Sequence, residues 1–312
     1  MHNIFCELLN ILACFLFSYI AHHLKRVTSF SEFYNVLNNE WRCGSFVEKT
    51  ILKDLLIFYC YLYDELMKSN TNKIKGKKNP AIVPTIPEDL DGDRRWMSMH
   101  ERFVSEAKSR EPDVLFIGDS HILYFEQSEA YHELFEPLHC LCFAIGGDTT
   151  ATVLWRLQHE ELDCISPKVI VLLIGTNNRE KNSQQILEGI AAVAQLISEK
   201  QPQAQLFVLT IPPRGRYPNP KRDLIIQINS GMNNALKHIP NCKILDITEG
   251  FICMLFIIHL LLITLLFIHL ASEGEIHHTV LYDYLHLTSS TYWKAFKVVH
   301  SAILEILLPY SC

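Results

Sequence analysis

The chain has 312 residues, 49% of them hydrophobic and 20% charged, so it can bury a large core and is not disordered throughout. Its 28 Lys and Arg against 34 Asp and Glu give a net charge of −6, which leaves no concentrated basic face and argues against nucleic acid or an anionic membrane as a partner held by charge. Mean hydropathy is nevertheless +0.11, high for a soluble domain, and the excess falls in two stretches.

The first stretch is residues 4–21, apolar except for Glu7, Asn10 and Ser18, and about as long as the shortest span of a bilayer core. No Lys or Arg precedes it and no small-residue cleavage site follows, which argues against a secretory signal. Lys25 and Arg26 behind it suit a membrane anchor with a cytoplasmic C-terminal side; an N-terminal helix or an imperfect gene model are the competing readings. Residues 1–78 as a whole read as an N-terminal extension. They end in Lys73, Lys75, Lys77 and Lys78 around Gly76, a charged hinge before Asn79 and Pro80, so the main domain is expected over 79–312.

From Asp113 onward short apolar runs alternate with helical patterns. Residues 114–117, 141–145, 169–174, 206–210 and 243–245 are expected strands, and helical periodicity follows the first of them and fills about 150–162, 183–200 and 220–238. Short apolar strands between helices are the mark of a parallel sheet covered on both faces, hence an α/β sandwich. Asp148, Thr149 and Thr150 supply side-chain acceptors where Val153, Leu154 and Leu157 begin a helix, and Pro202 stops the next one. Residues 292–308 read as a final helix with Phe296, Val299, Ile303 and Leu307 on one face. Between the last strand and that helix lies the second apolar stretch, 251–271, whose 21 residues include no Asp, Glu, Lys or Arg and by length alone make a transmembrane candidate.

Ten Cys form no CxxC pair, and the nearest two, Cys140 and Cys142, are expected to point to opposite faces of a strand. Together with the lack of an N-x-[ST] sequon this favours a cytoplasmic location with reduced thiols; association with a membrane through 4–21 or 251–271 is the alternative.

In open α/β sheets ligands bind beyond the carboxyl ends of the strands, so the loops there carry the chemistry. Gly118-Asp119-Ser120 follows the first strand, Gly146-Gly147-Asp148 the second and Gly175-Thr176-Asn177-Asn178 the third; Asp283-Tyr284-Leu285-His286 stands near the C-terminus. Ser120, at a turn from strand to helix, suits a nucleophile whose own N–H lies where developing negative charge is stabilised. His286 can take the hydroxyl proton and Asp283 can hold the imidazole in the required tautomer, giving a Ser-His-Asp triad. The N–H groups of Ser120 and Gly147 and the amide of Asn177 are the candidate oxyanion hole, and the implied chemistry is acyl transfer to water. Each motif has an ordinary structural reading: Gly-Asp-Ser as a turn, Gly-Gly as relief of crowding, Asn177 as a cap, Asp283 and His286 as a solvent-facing pair on a helix. Their occurrence together, three of them at one sheet edge, favours catalysis. His277 and His278 lack a supporting carboxylate or Cys for a metal, so no metal or other cofactor is expected. Arg214 and Arg216 can meet a phosphate head group, though solvated loop charges are the commoner case, and Trp155 is most simply core.

At these residues the chain resembles the GDSL/SGNH hydrolases, whose signature it carries as Ser120, Gly147, Asn177 and His286. Within them it resembles the catalytic α subunits of intracellular type I platelet-activating factor acetylhydrolases, through EPDVLFIGDS, ELFEPLH, IGGDTT, VLWRL, GTNN, PPRG and DYLHL, and through the run from Asn79 to Val104. The resemblance implies a flavodoxin-like three-layer sandwich without a metal, and hydrolysis of the sn-2 acetyl ester of platelet-activating factor. It also implies dimers of α-type subunits and association with a WD-repeat lissencephaly regulatory subunit. His121, Thr176 and Leu285 are the residues expected to line the substrate pocket, His121 standing where the family has an apolar residue.

Two segments depart from the family: residues 1–78, and an apolar insert at about 252–269 after Gly250-Phe251. The insert lies between Ser120 and the Asp283/His286 pair, so a single membrane span there and an assembled triad exclude each other. A looped-out or hairpin-like insert, or a retained intron, is preferred. Three rivals remain: a catalytically impaired α-like subunit that dimerises and binds the WD-repeat partner, a membrane-anchored esterase using 4–21, and an SGNH esterase acting on acetylated sugars or other lipids.

Overall fold

The computed structural model describes residues 79–180, 182–249, 251 and 274–308. The expected N-terminal extension with its apolar stretch at 4–21 and all but the first residue of the stretch at 251–271 lie outside the described residues. Among the described residues no helix is long and apolar enough to cross a membrane.

After a 3-10 turn at Pro80–Ile82 the chain forms α1 (Arg95–Ser109), β1 (Val114–Gly118), α2 (Ser120–Glu126), α3 (Glu129–Leu134) and a second 3-10 turn. There follow β2 (Cys140–Ala144), α4 (Thr150–Gln158), β3 (Val169–Leu173), α5 (Ser183–Lys200), β4 (Gln205–Leu209), α6 (Pro220–Leu236), β5 (Cys242–Leu245) and α7 (Ser289–Leu307). All neighbouring strands are parallel, in the order β2-β1-β3-β4-β5. Parallel pairs need a crossover, and here helices supply it on both faces. One face, including Leu115, Ile117, Leu141, Phe143, Ile170 and Leu172, is covered by α1, α4, α5 and α6. The other, including Phe116, Cys142, Val171 and Leu173, is covered by α2, α3 and α7. Burial on both faces is why β1, β2 and β3 read as continuous apolar runs. The fold is the three-layer flavodoxin-like sandwich expected of the sequence.

Strand order reverses between β1 and β3, where the chain leaves β1 toward β2 on one side and β3 toward β4 on the other. Such a reversal opens a crevice at the carboxyl edge, and the loops beginning at Asp119 and Ile174 border it.

One local expectation is corrected and two details are added. Cys140 and Cys142 both face the α2/α3/α7 layer, because residues two apart on a strand share a face. Of the three acceptors expected before Val153, Thr149 caps α4: its hydroxyl accepts from Thr152 N while Thr152 Oγ1 accepts from Thr149 N, a capping box. Helix α1 has no counterpart in the sequence reading, although Trp96, Met99, Phe103 and Ala107 follow a helical spacing and pack into the core.

Candidate active site

Ser120 is the first residue of α2, delivered there by a turn with no spare residue. Gly118 ends β1, and a Cβ on it would sit 2.5 Å from Ile122 Cγ1 and 2.6 Å from the carbonyl oxygen of Leu173, so only glycine allows so close an approach. Asp119 is the N-cap, its Oδ1 accepting from His121 N at 3.0 Å. Its other oxygen is buried without a protein partner, and burial, reinforced by the charge of Asp148, pushes the carboxyl up to about 7 against the His121 N–H bond and Arg214.

Asp283 and His286 come from a tight loop closed by the antiparallel bridge between Leu281 and Leu287, with Tyr282 N donating to His286 O. Asp283 Oδ1 accepts from the backbone N–H groups of Leu285 (3.0 Å) and His286 (2.7 Å), and its Oδ2 meets His286 Nδ1 at 2.6 Å. One carboxylate thus shapes the loop and orients the ring. Partial burial works to raise its pKa, but the bonds from His286 and Leu285 outweigh it and hold the carboxyl below the usual range. His286 Nε2 lies 3.0 Å from Ser120 Oγ, 166 positions earlier in the sequence, completing a chain from Asp283 to Ser120.

Helix α7 fixes that distance. It starts two residues after the loop, Tyr292 Oη donates to His121 O on α2 at 2.8 Å, and Phe296 stacks on Phe125 of α2 with ring centroids 4.0 Å apart. Such an aromatic pair contributes about 0.5–1.5 kcal/mol beyond its buried area.

The β2 and β3 loops are tied together at the other side of Ser120. Gly147 has φ +87°, a left-handed backbone that favours glycine, and a Cβ there would meet open space. Asn177 Nδ2 donates one hydrogen to Asp148 O at 3.1 Å, leaving the second, while Asn178 accepts from Thr150 N and donates to Thr150 Oγ1. Beneath Gly147 a buried ionic cluster holds the loop. Arg156 Nε meets Asp148 Oδ2 at 2.9 Å and Nη1 meets Glu161 at 2.5 Å, Trp96 Nε1 and Thr152 Oγ1 donate to Asp148, and His100 pairs with Glu161.

The expected pocket residues are placed unequally. His121 is 1% exposed, with both ring nitrogens buried and unpartnered, its ring 5.7 Å from that of His286. Burial first, then the charges of His286 and Arg214, push its pKa down to about 3, so it stays neutral beside His286. Thr176 is buried, its Oγ1 also unpartnered, and Leu285 is half-buried between Asp283 and His286. Arg214 donates to Thr176 O at 3.2 Å; Arg216 lies over the rings of Tyr217 and Tyr284 and pairs with Glu275.

The sequence reading missed two features of the site. Tyr124 and Tyr282 flank the His286 ring, at centroid distances of 4.7 and 6.0 Å. The Arg156 cluster had one signal, an arginine inside the apolar helix segment VLWRL.

This fold, with a Ser, a His and an Asp hydrogen-bonded in series at the carboxyl edge of its sheet, is of the flavodoxin-like α/β class that serves ester hydrolysis. The family model for GDSL-like lipases and acylhydrolases matches residues 116–294, and the chain belongs to that family of carboxylic ester hydrolases. Over 232 residues, covering 74% of this chain and 93% of the relative, it is 44% identical to platelet-activating factor acetylhydrolase IB subunit alpha2 of Gallus gallus. The alpha1 subunit of Homo sapiens is 43% identical over 234 residues, covering 75% and 94%. A solved GDSL-like lipase from Bacteroides thetaiotaomicron superposes with a TM-score of 0.50 at 15% identity, covering 66% of this chain and 97% of that one, a likeness of fold.

Proposed function

We propose that the chain is a serine esterase that removes a short, acetyl-sized acyl group from the sn-2 position of a phospholipid such as platelet-activating factor. The observation that carries the chemistry is the hydrogen-bonded chain Asp283–His286–Ser120. In this reading Ser120 Oγ attacks the ester carbonyl as His286 Nε2 takes its proton, and the carbonyl oxygen becomes an oxyanion facing Ser120 N–H, Gly147 N–H and the second Asn177 amide hydrogen. Collapse breaks the bond to the alcohol, which leaves with the proton from His286. Water then attacks the acyl-enzyme through the same base, releasing the acid and restoring Ser120. The neutrality of His121 suits this cycle, since a second charge there would oppose an imidazolium at His286.

The substrate class is supported by the likeness to relatives named as platelet-activating factor acetylhydrolases. Because they are named as subunits, assembly with an α-type partner, a WD-repeat regulatory subunit and a cytoplasmic location belong to the same proposal.

The test is labelling of the purified chain with a fluorophosphonate probe, beside release of acetate from platelet-activating factor. Both are expected for the wild type, and both are expected to vanish in Ser120→Ala. Undiminished hydrolysis by Ser120→Ala, or a folded wild type that neither labels nor hydrolyses, would overturn the assignment in favour of a non-catalytic α-like binding subunit. Labelling with acetate released from acetylated sugars but not from the phospholipid would move the substrate class alone.

A further inference from the structure

Asn177 can stabilise an oxyanion only if its amide is aimed, and in a turn the backbone does the aiming. The turn is closed by Asn178 N donating to Gly175 O at 3.3 Å, and one amide hydrogen of Asn177 goes to Asp148 O. The peptide carbonyls on either side of Asn177 are each held by a cation from the segment after β4. Arg214 Nη1 donates to Thr176 O at 3.2 Å, and Lys221 Nζ, on the first turn of α6, donates to Asn178 O at 2.6 Å. Asn219 joins the two holders: its Nδ2 donates to Arg214 O at 2.9 Å and its Oδ1 accepts from Lys221 N at 3.1 Å. The residue after Arg214, Gly215, donates its N–H to Tyr284 O at 2.7 Å, so the same segment is tied to the loop that carries His286.

The first turn of a helix favours acidic side chains, and a lysine there needs another reason. Lys221 is half-buried, and burial, then the charge of Arg214, lower its pKa below the usual lysine value against the pull of Glu180. Among the described residues neither Lys221 nor Arg214 forms a salt bridge, and Glu180 accepts instead from the Asn178 amide. Two cations without a paired carboxylate thus converge on the backbone around one asparagine.

We propose that Arg214 and Lys221 are positioning residues of the oxyanion hole, holding the peptides on either side of Asn177 so that its second amide hydrogen is aimed at the developing oxyanion. The inference rests on the esterase reading and adds to it the residues that act through Asn177. Charged donors hold a carbonyl more tightly than neutral ones, and the charge they bring to this side of the sheet edge has the sign that an oxyanion needs.

The experiment measures kcat and KM of the full chain for p-nitrophenyl acetate in Lys221→Met, Lys221→Arg and Arg214→Met, each made in the wild type and in an Asn177→Ala background. Loss of an oxyanion donor costs about a hundred- to a thousandfold in kcat, and a displacement of about 1 Å costs up to about a hundredfold. Lys221→Met and Arg214→Met are therefore expected to lower kcat about ten- to a hundredfold with little change in KM, and Lys221→Arg to restore most of it. In the Asn177→Ala background both Met substitutions are expected to have little further effect, because the group they act through is gone. The same fractional loss in both backgrounds would overturn the inference, since a general weakening of the fold does not pass through Asn177. Wild-type kcat in Lys221→Met, or in Asn177→Ala itself, would overturn it as well and leave the chemistry of Ser120 untouched. Circular dichroism checks that each variant is folded, and if Arg214→Met does not fold the Lys221 variants decide. A wild type with neither turnover nor fluorophosphonate labelling would overturn the esterase reading, and this inference with it.

Discussion

Replacing Arg156 by Met should destabilise the protein severely, and the structure sets the scale. The guanidinium is fully buried between Asp148 and Glu161, whose side chains are 1% and 0% exposed, and it also donates to Phe143 O at 3.2 Å. Met fills much of the volume but leaves two carboxylates without their cation. Breaking one buried ion pair in this way costs about 3–5 kcal/mol. For a domain of this size that lowers the melting temperature by about 6–20 °C, taking about 2–4 °C per kcal/mol. The deficit should depend on pH with a definite sign. In the variant the orphaned carboxylates have raised pKa values when folded, so the folded state binds more protons than the unfolded state and the loss is smaller at pH 5 than at pH 8. Thermal unfolding followed by circular dichroism at the two pH values measures this, and Asp148→Asn with Glu161→Gln in the same background should recover part of the loss. Below the melting transition kcat should fall as well, because Asp148 anchors the loop of Gly147 and its carbonyl accepts from Asn177. A loss below about 1 kcal/mol, or a loss independent of pH, would refute the argument that the cluster is ionic and holds this loop.

Gly118→Ala should cost about 1–3 kcal/mol by forcing the end of β1 from the Leu173 carbonyl, read as a shift in the urea midpoint; an unchanged midpoint would show that the strand ends have room. Asp119→Asn keeps the cap acceptor for His121 N but cannot ionise. The wild-type carboxyl, raised from 3.8 to about 7, lowers stability as pH climbs through that interval, so the stability of the variant relative to wild type should grow between those values and then level off. A difference that does not change with pH would mean that Asp119 is not protonated in the folded protein. Asp283→Asn should reduce kcat by about a hundred- to ten-thousandfold, since the ring loses its orienting anion, and kcat within tenfold of wild type would remove Asp283 from the relay.

The sheet was legible because strands buried on both faces leave uninterrupted apolar runs, and β1 to β5 each fall within two residues of the expected bounds. The loops bearing Ser120, Gly147 and Asn177 followed from the strands, since a parallel sheet brings its carboxyl ends to one edge. What stayed hidden was the meaning of polar residues inside helices. Asp148 reads as an ordinary cap next to a helix, yet its carboxylate turns inward to Arg156, Trp96 and Thr152, partners that only the fold supplies. Helix α1 escaped for a related reason: its exposed face is so charged that the stripe of Trp96, Met99, Phe103 and Ala107 is thinly marked. Tyr124 and Tyr282 could not be paired in advance, because one lies within α2 and the other in the loop before α7.

Helix α7 gives the site a particular vulnerability. It is the last helix described, and it joins the His286 loop to the helix of Ser120 through Tyr292 and Phe296 while contributing no group to the proposed proton relay. Single elements packed on one face of a sheet open locally at lower free energy than the whole domain unfolds. A partial departure of α7 would leave the sheet nearly intact and still lengthen the gap between His286 and Ser120. Heating should therefore silence the chain some degrees before it unfolds, and the temperature at which activity disappears reports on one helix rather than on the whole domain.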